Sequence, residues 1–183
     1  MSTLPPFVAF PKMARHSRRV IVTEKIDGTN AQVHVTDDGQ LLAGSRNRWI
    51  TPEDDNFGFA KWVESHREEL LNLGPGSHFG EWWGSGIQRG YGLKNGDKRF
   101  SLFNVGRWTE NPPPACCSVV PILWDGPNDE LNLPAILSAL REAGSVASPF
   151  FYEPEGVVIF HTASRTLTKK TLVKDDEPKG VVR

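Results

Sequence analysis

The sequence has few of the residues from which cross-linked or metal-clustered proteins are built. Only two of its 183 residues are cysteines, Cys116 and Cys117, and these two are adjacent. Adjacent cysteines form neither a disulfide framework nor a metal site with spaced ligands. We therefore expect a reduced, intracellular protein.

An excess of one charge and long apolar runs are also missing. Lys and Arg number 21 against 22 Asp and Glu, so the formal net charge is -1. No global basic field draws such a chain to nucleic acid, and any contact of that kind must come from a local patch. No apolar run is long enough to cross a bilayer, and the N-terminus lacks the hydrophobic segment of a signal peptide. We expect a cytoplasmic protein without membrane contact.

The remaining composition is that of an ordinary folded domain. Hydrophobic residues make up 38% of the chain and charged residues 23%, which is typical of globular proteins. A length of 183 residues fits one domain. Short strand-like runs separated by turns predominate, and the apolar spacing predicts helices over residues 51–73 and 132–143.

The segment of residues 24–30 contains the most informative side chain. Lys25 ends an apolar run and precedes a tight turn. Partial withdrawal from water favours the neutral amine, which makes Lys25 a candidate nucleophile. Gly28 lets the backbone turn sharply or approach a ligand, and Asn30 adds a short hydrogen-bonding side chain. The arrangement suits a phosphate or a ribose, although taken alone the pattern also fits an exposed lysine before a turn.

Further polar groups follow in strand-like surroundings. Glu81 stands among aromatic residues, and a buried carboxylate is costly unless it is paired, so we predict a functional role for it. Glu155 opens an apolar run. Arg46 and Arg48 lie at a strand end, where a planar guanidinium suits bidentate contact with phosphate. Residues 85–98 are rich in Gly, Lys and Arg and are interpreted as a mobile loop able to close over a substrate.

In their order along the chain, these segments resemble the motifs of covalent nucleotidyltransferases, which comprise ATP-dependent DNA and RNA ligases and mRNA capping enzymes. Residues 25–28 match motif I, and the form that ends in Asn30 is most similar to the RNA ligase branch that seals nicked duplex RNA. The Phe-Gly-Glu triplet ending at Glu81 resembles motif III. Glu155 with the following glycine resembles motif IV, and residues 169–174 resemble motif V.

The resemblance implies an α+β fold: an antiparallel two-sheet nucleotidyltransferase domain, the ATP-grasp-like adenylation domain of ligases, with peripheral helices and an ATP groove between the sheets. It covers most of the chain. We expect a single domain over residues 1–183 without a separate C-terminal domain. The chain is then either a minimal ligase or a catalytic core whose protein partner supplies that domain.

The resemblance also implies roles for individual side chains. Lys25 is the catalytic nucleophile that takes AMP from ATP, and Glu155 holds the catalytic Mg²⁺ or Mn²⁺. Phe103 stacks on the adenine, while Asn30 and Glu81 hold the ribose or orient the reacting groups. The implied nucleotide-binding set is Glu24, Ile26, Asn30, Arg46, Glu81, Phe103 and Lys170, and the additional phosphate candidates are Arg48, Lys169 and Lys174.

The function implied is that of an ATP-dependent RNA ligase. AMP passes from a covalent lysyl-AMP to the 5′-phosphate end of RNA or of a nicked nucleic acid, and a 3′-OH then attacks that end, as in RNA repair. Two alternatives stay open: a GTP-dependent capping-type guanylyltransferase, and a non-catalytic nucleotide- or RNA-binding module of the same fold. DNA as the sealed strand also stays open.

Overall fold

The computed structural model describes residues 6–173 and 175. The strands are Arg19–Lys25 (β1), Thr29–Val35 (β2), Leu41–Gly44 (β3), Trp49–Ile50 (β4), Gly76–Gly84 (β5), Lys98–Leu102 (β6), Cys117–Val119 (β7), Ile122–Pro127 (β8), Gly156–His161 (β9) and Thr166–Thr171 (β10). The helices are Phe59–Ser65 (α1), Arg67–Leu70 (α2), Val105–Glu110 (α3) and Leu133–Ala143 (α4), with 3-10 turns at Leu71–Leu73, Gly90–Gly92 and Asn128–Glu130. None of these helices is long and apolar enough to span a membrane.

The strands form two sheets. The small sheet has the order β10-β9-β1-β8 and is antiparallel throughout, and the large sheet has the order β4-β3-β2-β5-β6-β7. The α+β two-sheet fold is therefore confirmed. The pairing is antiparallel except at one place, where β6 and β7 run parallel. Parallel neighbours need a crossover between them, and the segment containing α3 supplies it.

Three clusters of buried side chains hold these layers together. One lies between the large sheet and α1, where Phe59 packs on Trp82 with 5.3 Å between ring centroids. A second lies between the two sheets and includes Ile26 and Tyr91. The third lies where Leu140 of α4 packs against the small sheet. Each sheet thus has one face toward the other sheet and one face covered by helix.

The helix predicted over residues 51–73 differs most from the structure. Residues 51–58 form turns, α1 begins at Phe59, and the helical run is interrupted at His66. The Asp55 carboxylate accepts hydrogen bonds from the N–H groups of Ala60 (2.8 Å) and Lys61 (3.2 Å). A side chain upstream of the helix therefore satisfies its first donors, and the helix starts at Phe59 and not at the predicted residue 51.

The strand-like run of residues 99–105 is only partly a strand in the structure. β6 ends at Leu102, and α3 begins at Val105. Asn104 is the N-cap of α3, and its side chain accepts a hydrogen bond from the Arg107 N–H at 3.4 Å. Asparagine and aspartate both favour this position. The polar side chain at residue 104 thus has a structural role at a helix start.

Candidate active site

Lys25 is the last residue of β1 and lies beside a buried carboxylate. Its Nζ is 2.6 Å from Glu155 Oε2, and the two side chains are 20% and 3% exposed. Along β1 alternate residues share a face, so Lys25 lies on the face of Ile21, which packs between the sheets. Lys25 pairs with Gly156 of β9, and this pairing brings Glu155 next to it. A partly buried ammonium–carboxylate pair therefore forms the centre of the site.

The turn after Lys25 is fixed by Glu81. The Oε1 atom of Glu81 accepts a hydrogen bond from the Gly28 N–H at 3.0 Å, and its Oε2 accepts one from Asn30 Nδ2 at 3.2 Å. Gly28 has no room for a side chain, because a Cβ there would lie 2.4 Å from the carbonyl oxygen of Trp82. The close approach of this turn to β5 explains why the position requires glycine.

The surroundings of Glu81 also shift the pKa of its carboxyl group. Burial raises the pKa of the Glu81 carboxyl to about 7, and the charges of Glu155 and Asp27 add to the rise. The Lys25 ammonium and the Gly28 N–H act in the opposite direction. Near neutral pH this carboxyl is therefore divided between its protonated and its ionised form.

Tyr91 connects the two ends of the site. Its side chain is completely buried. Its hydroxyl donates a hydrogen bond to the carbonyl oxygen of Lys25 (3.3 Å) and accepts hydrogen bonds from the N–H groups of Asp27 (3.1 Å) and Glu155 (3.1 Å). One side chain thus contacts the backbone on both sides of the Lys25–Glu155 pair.

Arg89 adds a second link from the same loop. Its Nε donates to Asp27 Oδ2 at 3.1 Å, and its Nη1 donates to the carbonyl oxygen of Glu153 at 2.9 Å. Sequence reasoning missed Arg89 and Tyr91 because a Gly-rich segment with basic residues resembles a mobile surface loop. That interpretation is wrong for these two residues, which anchor the loop to the active-site strands.

Glu24 and Ile26, the neighbours of Lys25 in the chain, are both buried. The Glu24 N–H donates to the carbonyl oxygen of Pro121 at 2.9 Å. The buried Glu24 carboxylate accepts three hydrogen bonds, from Ser145 Oγ (2.6 Å), Val146 N–H (2.8 Å) and Ala147 N–H (2.9 Å). Ile26 belongs to the cluster between the sheets. Both side chains are part of the packing around the site, and nucleotide binding by Glu24 and Ile26 stays a prediction.

The two candidate arginines have different surroundings. Arg46 is exposed, and it forms no hydrogen bond or ion pair with any residue in the described ranges. It lies in the turn between β3 and β4. Arg48 instead forms a bidentate ion pair with Asp54, with 2.9 Å between Nη2 and Oδ1. Of the two, Arg46 is thus the one whose guanidinium is not already engaged by an acid among the described residues.

Phe103 follows directly after β6 and keeps part of its ring accessible. Its side chain is 40% exposed, and its N–H donates to the carbonyl oxygen of Phe79 at 2.9 Å. Two residues earlier, the Ser101 hydroxyl accepts a hydrogen bond from Trp83 Nε1 at 2.8 Å, and Trp83 packs between the sheets. A partly exposed ring on an anchored backbone is available to stack on a planar ligand.

The two motif V lysines lie on opposite faces of the small sheet. Across β1, β9 and β10, Thr23 lies opposite Val158, which lies opposite Lys169. One position further along the strands, Glu24 lies opposite Val157, which lies opposite Lys170. Directly opposed residues share a face of the sheet, and the faces alternate along a strand. Lys169 therefore lies on the face of Lys25, and Lys170 lies on the face that α4 covers.

This register corrects the choice of Lys170 as the α-phosphate contact. Lys170 Nζ lies 2.5 Å from Asp175 Oδ2, and its strand position directs it to the α4 side. Lys169 is exposed and becomes the better candidate. The sequence could not separate two adjacent lysines, because only the pairing with β9 decides which of them faces Lys25. Lys174 lies outside the described residues.

The acidic groups present fit a divalent cation that takes few protein ligands. Within residues 6–173 and 175, no group of three or more His, Cys, Asp and Glu side chains is arranged to hold a metal. Mg²⁺ sites commonly use one or two carboxylates and complete their octahedron with substrate phosphates and water. Glu155, beside the lysine that would meet the phosphate, matches that pattern. Such a site requires no preformed protein cage.

The fold and this site together define a two-sheet domain of the nucleotidyltransferase type, with a lysine and buried glutamates between its sheets. The RNA ligase family matches residues 18–174 of the sequence. This match covers most of the chain, and the chain belongs to the RNA ligase family.

Solved structures of an RNA ligase from Naegleria gruberi have a similar fold. A mutant of that ligase with ATP and Mn is 21% identical, with a TM-score of 0.63 over 92% of this chain and 57% of that chain. The ligase with PPi is 20% identical, with a TM-score of 0.59 over the same shares. This chain therefore corresponds to a little over half of the Naegleria ligase. No curated protein matches the sequence.

Proposed function

We propose that this chain is the adenylation domain of an ATP-dependent RNA ligase and that Lys25 carries AMP covalently. The observation that carries the proposal is the Lys25–Glu155 pair, 2.6 Å apart and partly buried between the sheets, in a chain of the RNA ligase family. The presence of ATP and Mn in the Naegleria structure supports the choice of nucleotide and of a divalent cation. We place the activity in the cytoplasm.

In the first step, Lys25 must act as a neutral amine. Glu155 would hold Mg²⁺ or Mn²⁺, and the bound cation would replace the ammonium as the partner of this carboxylate and stabilise charge on the phosphoryl oxygens. The Nζ atom then forms a bond to the α-phosphorus of ATP while the bond from that phosphorus to the pyrophosphate oxygen breaks. The amine proton goes to water, and pyrophosphate leaves. The product is a lysyl-AMP phosphoramidate.

The surrounding side chains would hold the nucleotide for this attack. Asn30 and Glu81, joined by a hydrogen bond at 3.2 Å, lie beside the Gly28 turn and would bind the ribose. Phe103 would stack on the adenine. Lys169 would contact phosphate because it is an exposed cation on the Lys25 face of the small sheet. Arg46 would do so through its exposed guanidinium in the turn after β3.

The later steps would transfer AMP to a 5′-phosphate end and seal that end to a 3′-OH in nicked RNA. The first step needs only the groups described above. Because the chain spans 57% of the solved ligase, we assign adenylation to residues 1–183.

Intact-mass measurement tests the first step. The protein is first treated with pyrophosphate to remove any AMP already attached, and is then incubated with Mg²⁺ and either ATP or GTP. We expect a gain of one AMP with ATP and none with GTP. A gain of one GMP would support the capping-type alternative, and no gain with either nucleotide or with Mn²⁺ would support the binding module.

Two variants identify the nucleophile in the same experiment. Lys25→Ala removes the amine. Lys25→Arg keeps a cation beside Glu155 but does not supply a neutral nitrogen. Neither variant should gain AMP, and both should retain the wild-type circular dichroism. AMP gain by Lys25→Arg would place the nucleophile elsewhere.

The polynucleotide specificity needs a separate assay. Adenylylated protein, freed of ATP, is mixed with a nicked duplex whose broken strand is RNA or DNA of the same sequence. We expect AMP to be lost from the protein, and the nick to be sealed, with the RNA strand. Equal sealing of the DNA strand would contradict the assignment as an RNA ligase.

A further inference from the structure

We infer that Tyr91 is a positioning residue for lysine adenylylation: its hydroxyl fixes Lys25 and Glu155 relative to each other. The inference rests on the proposed function and extends it to a residue outside the motifs described above. Lys25 belongs to β1 and Glu155 precedes β9, so the attacking atom and its carboxylate partner come from different strands. The β1–β9 pairing places Lys25 opposite Gly156 at the end of the ladder, and the Tyr91 hydroxyl adds a further link at this end, to Lys25 and to Glu155.

The Tyr91 hydroxyl uses its whole hydrogen-bonding capacity for this purpose. A phenol has one proton to donate and lone pairs to accept. The proton is donated to the Lys25 carbonyl oxygen at 3.3 Å, and the oxygen accepts from Asp27 and Glu155 N–H groups, each at 3.1 Å. Burial also raises the pKa of the Tyr91 hydroxyl above its ordinary value, so it remains a neutral donor. No proton on this group is left over for a ligand.

The ring that carries the hydroxyl is itself held on several sides. It stacks on Phe151 with 4.4 Å between ring centroids and meets the edge of Trp83 at 5.5 Å. The Ser148 hydroxyl donates to the Tyr91 carbonyl oxygen at 2.7 Å. The backbone of Tyr91 has φ 48° and ψ 34°, a left-handed conformation that bulky residues seldom adopt. These contacts keep the phenol in one place, as a positioning group requires.

The hydroxyl should act on the chemical step more than on ATP binding. All its hydrogen bonds go to backbone groups of the protein itself, so its proton is not available to a nucleotide. Without it, only the end of the β1–β9 ladder holds the Lys25 backbone beside that of Glu155, and the amine is positioned less closely relative to the phosphate. Small misplacements of a reacting group cost large factors in rate.

The test compares Tyr91→Phe with Tyr152→Phe in single-turnover adenylylation. Tyr91→Phe removes only the buried hydroxyl and keeps the stacked ring. Tyr152, the other tyrosine of the chain, is 60% exposed and serves as the matched control. We expect Tyr91→Phe to lower the maximal rate of AMP attachment by roughly 10- to 100-fold, with the ATP concentration at half-maximal rate within about twofold of wild type. Tyr152→Phe should match wild type in both.

Rates are measured per folded protein, below the unfolding transition of each variant, so that a loss of stability does not imitate a loss of rate. An unchanged maximal rate in folded Tyr91→Phe, or a loss confined to ATP affinity, would overturn the inference while wild-type AMP attachment upholds the proposed function. Absence of AMP attachment in the wild-type protein would overturn both. Wild-type attachment with a slowed Tyr91→Phe and a normal Tyr152→Phe would support both.

Discussion

At the scale of single residues, the site brings several acids near one lysine. Asp27, Glu81 and Glu155 are all buried, and the charges of Asp27 and Glu155 both raise the pKa of Glu81. Glu155 is paired with Lys25 and Asp27 with Arg89, whereas Glu81 accepts hydrogen bonds from the Gly28 turn. Glu81 is therefore the carboxyl that releases its proton near neutral pH.

Glu81 should make the stability of the protein depend on pH. Its pKa in the folded protein, about 7, lies above the ordinary value of 4.5. Protonation therefore favours the folded state. The corresponding stabilisation is complete below about pH 4.5 and is lost as the pH rises through about 7. Relative to Glu81→Gln, the wild-type protein should lose up to roughly 3 kcal/mol over this range.

Urea unfolding of both proteins between pH 4.5 and 8 measures this difference. Glutamine keeps an acceptor for the Gly28 N–H and does not titrate, so it is a close neutral substitute. Parallel curves of unfolding free energy against pH for the two proteins would contradict the assignment.

Gly28 and Gly106 offer a matched pair of glycine substitutions. A Cβ at Gly28 would lie 2.4 Å from the carbonyl oxygen of Trp82 and 2.8 Å from Trp83 Cβ, whereas a Cβ at Gly106 meets nothing closer than 4.0 Å. Gly28→Ala should cost about 3 kcal/mol or more, because the turn and β5 must move apart. Gly106→Ala, in exposed helix, should stabilise by about 0.5–1 kcal/mol. Chemical unfolding measures both, and equal effects would contradict the close packing of the Gly28 turn.

At the scale of elements, the register of the small sheet decides which cations serve the site. The β9–β10 ladder puts Lys169 on the Lys25 face and Lys170 on the α4 face. Lys169→Ala should therefore slow AMP attachment by roughly 10-fold or more, through loss of a phosphate contact. Lys170→Ala should stay within about threefold of wild type.

Single-turnover adenylylation of the two variants checks the register directly. Lys169 and Lys170 are neighbours in the chain and carry the same charge, so each substitution controls for the change in net charge made by the other. A larger loss in Lys170→Ala would mean that β10 pairs one residue out of the register described here.

Elements that depend on local pattern were predictable from the sequence, and those that depend on distant partners were not. α4 has its Asn132 cap and its Gly144 stop where the sequence indicates them, because both signals act within a few residues. One local signal was misread: α1 starts late because the carboxylate of Asp55, five residues before Ala60, serves the first N–H groups of the helix. The parallel pairing of β7 with β6 has no local signal at all.

The candidate site divides in the same way. Lys25, Asn30, Glu81 and Glu155 carry the pattern of a family, and the fold brings all four together. Tyr91 and Arg89 escaped notice because their partners are mostly backbone groups 62 to 66 positions away along the chain. Such contacts produce no recognisable residue pattern in the sequence, because almost any residue type can supply a backbone N–H or carbonyl group.

At the scale of the whole molecule, two sheets from distant parts of the chain meet at one lysine. The strand that ends in Lys25 lies at the centre of the small sheet, and the turn that follows leads directly into β2 of the large sheet. Lys25, the proposed nucleophile, thus lies where the chain passes from the small sheet to the large sheet, and both sheets contribute acids beside it. This placement leads us to assign the covalent chemistry to Lys25 ahead of every other lysine.

Mapping the AMP to a residue tests that assignment most directly. Protein incubated with ATP and Mg²⁺ is digested at a pH that preserves the acid-labile phosphoramidate, and the peptides are sequenced by tandem mass spectrometry. We predict AMP on Lys25 alone, in a peptide that also contains Glu24 or Ile26. AMP on another lysine, or on no peptide although the nucleotide remains bound to the folded protein, would contradict the account.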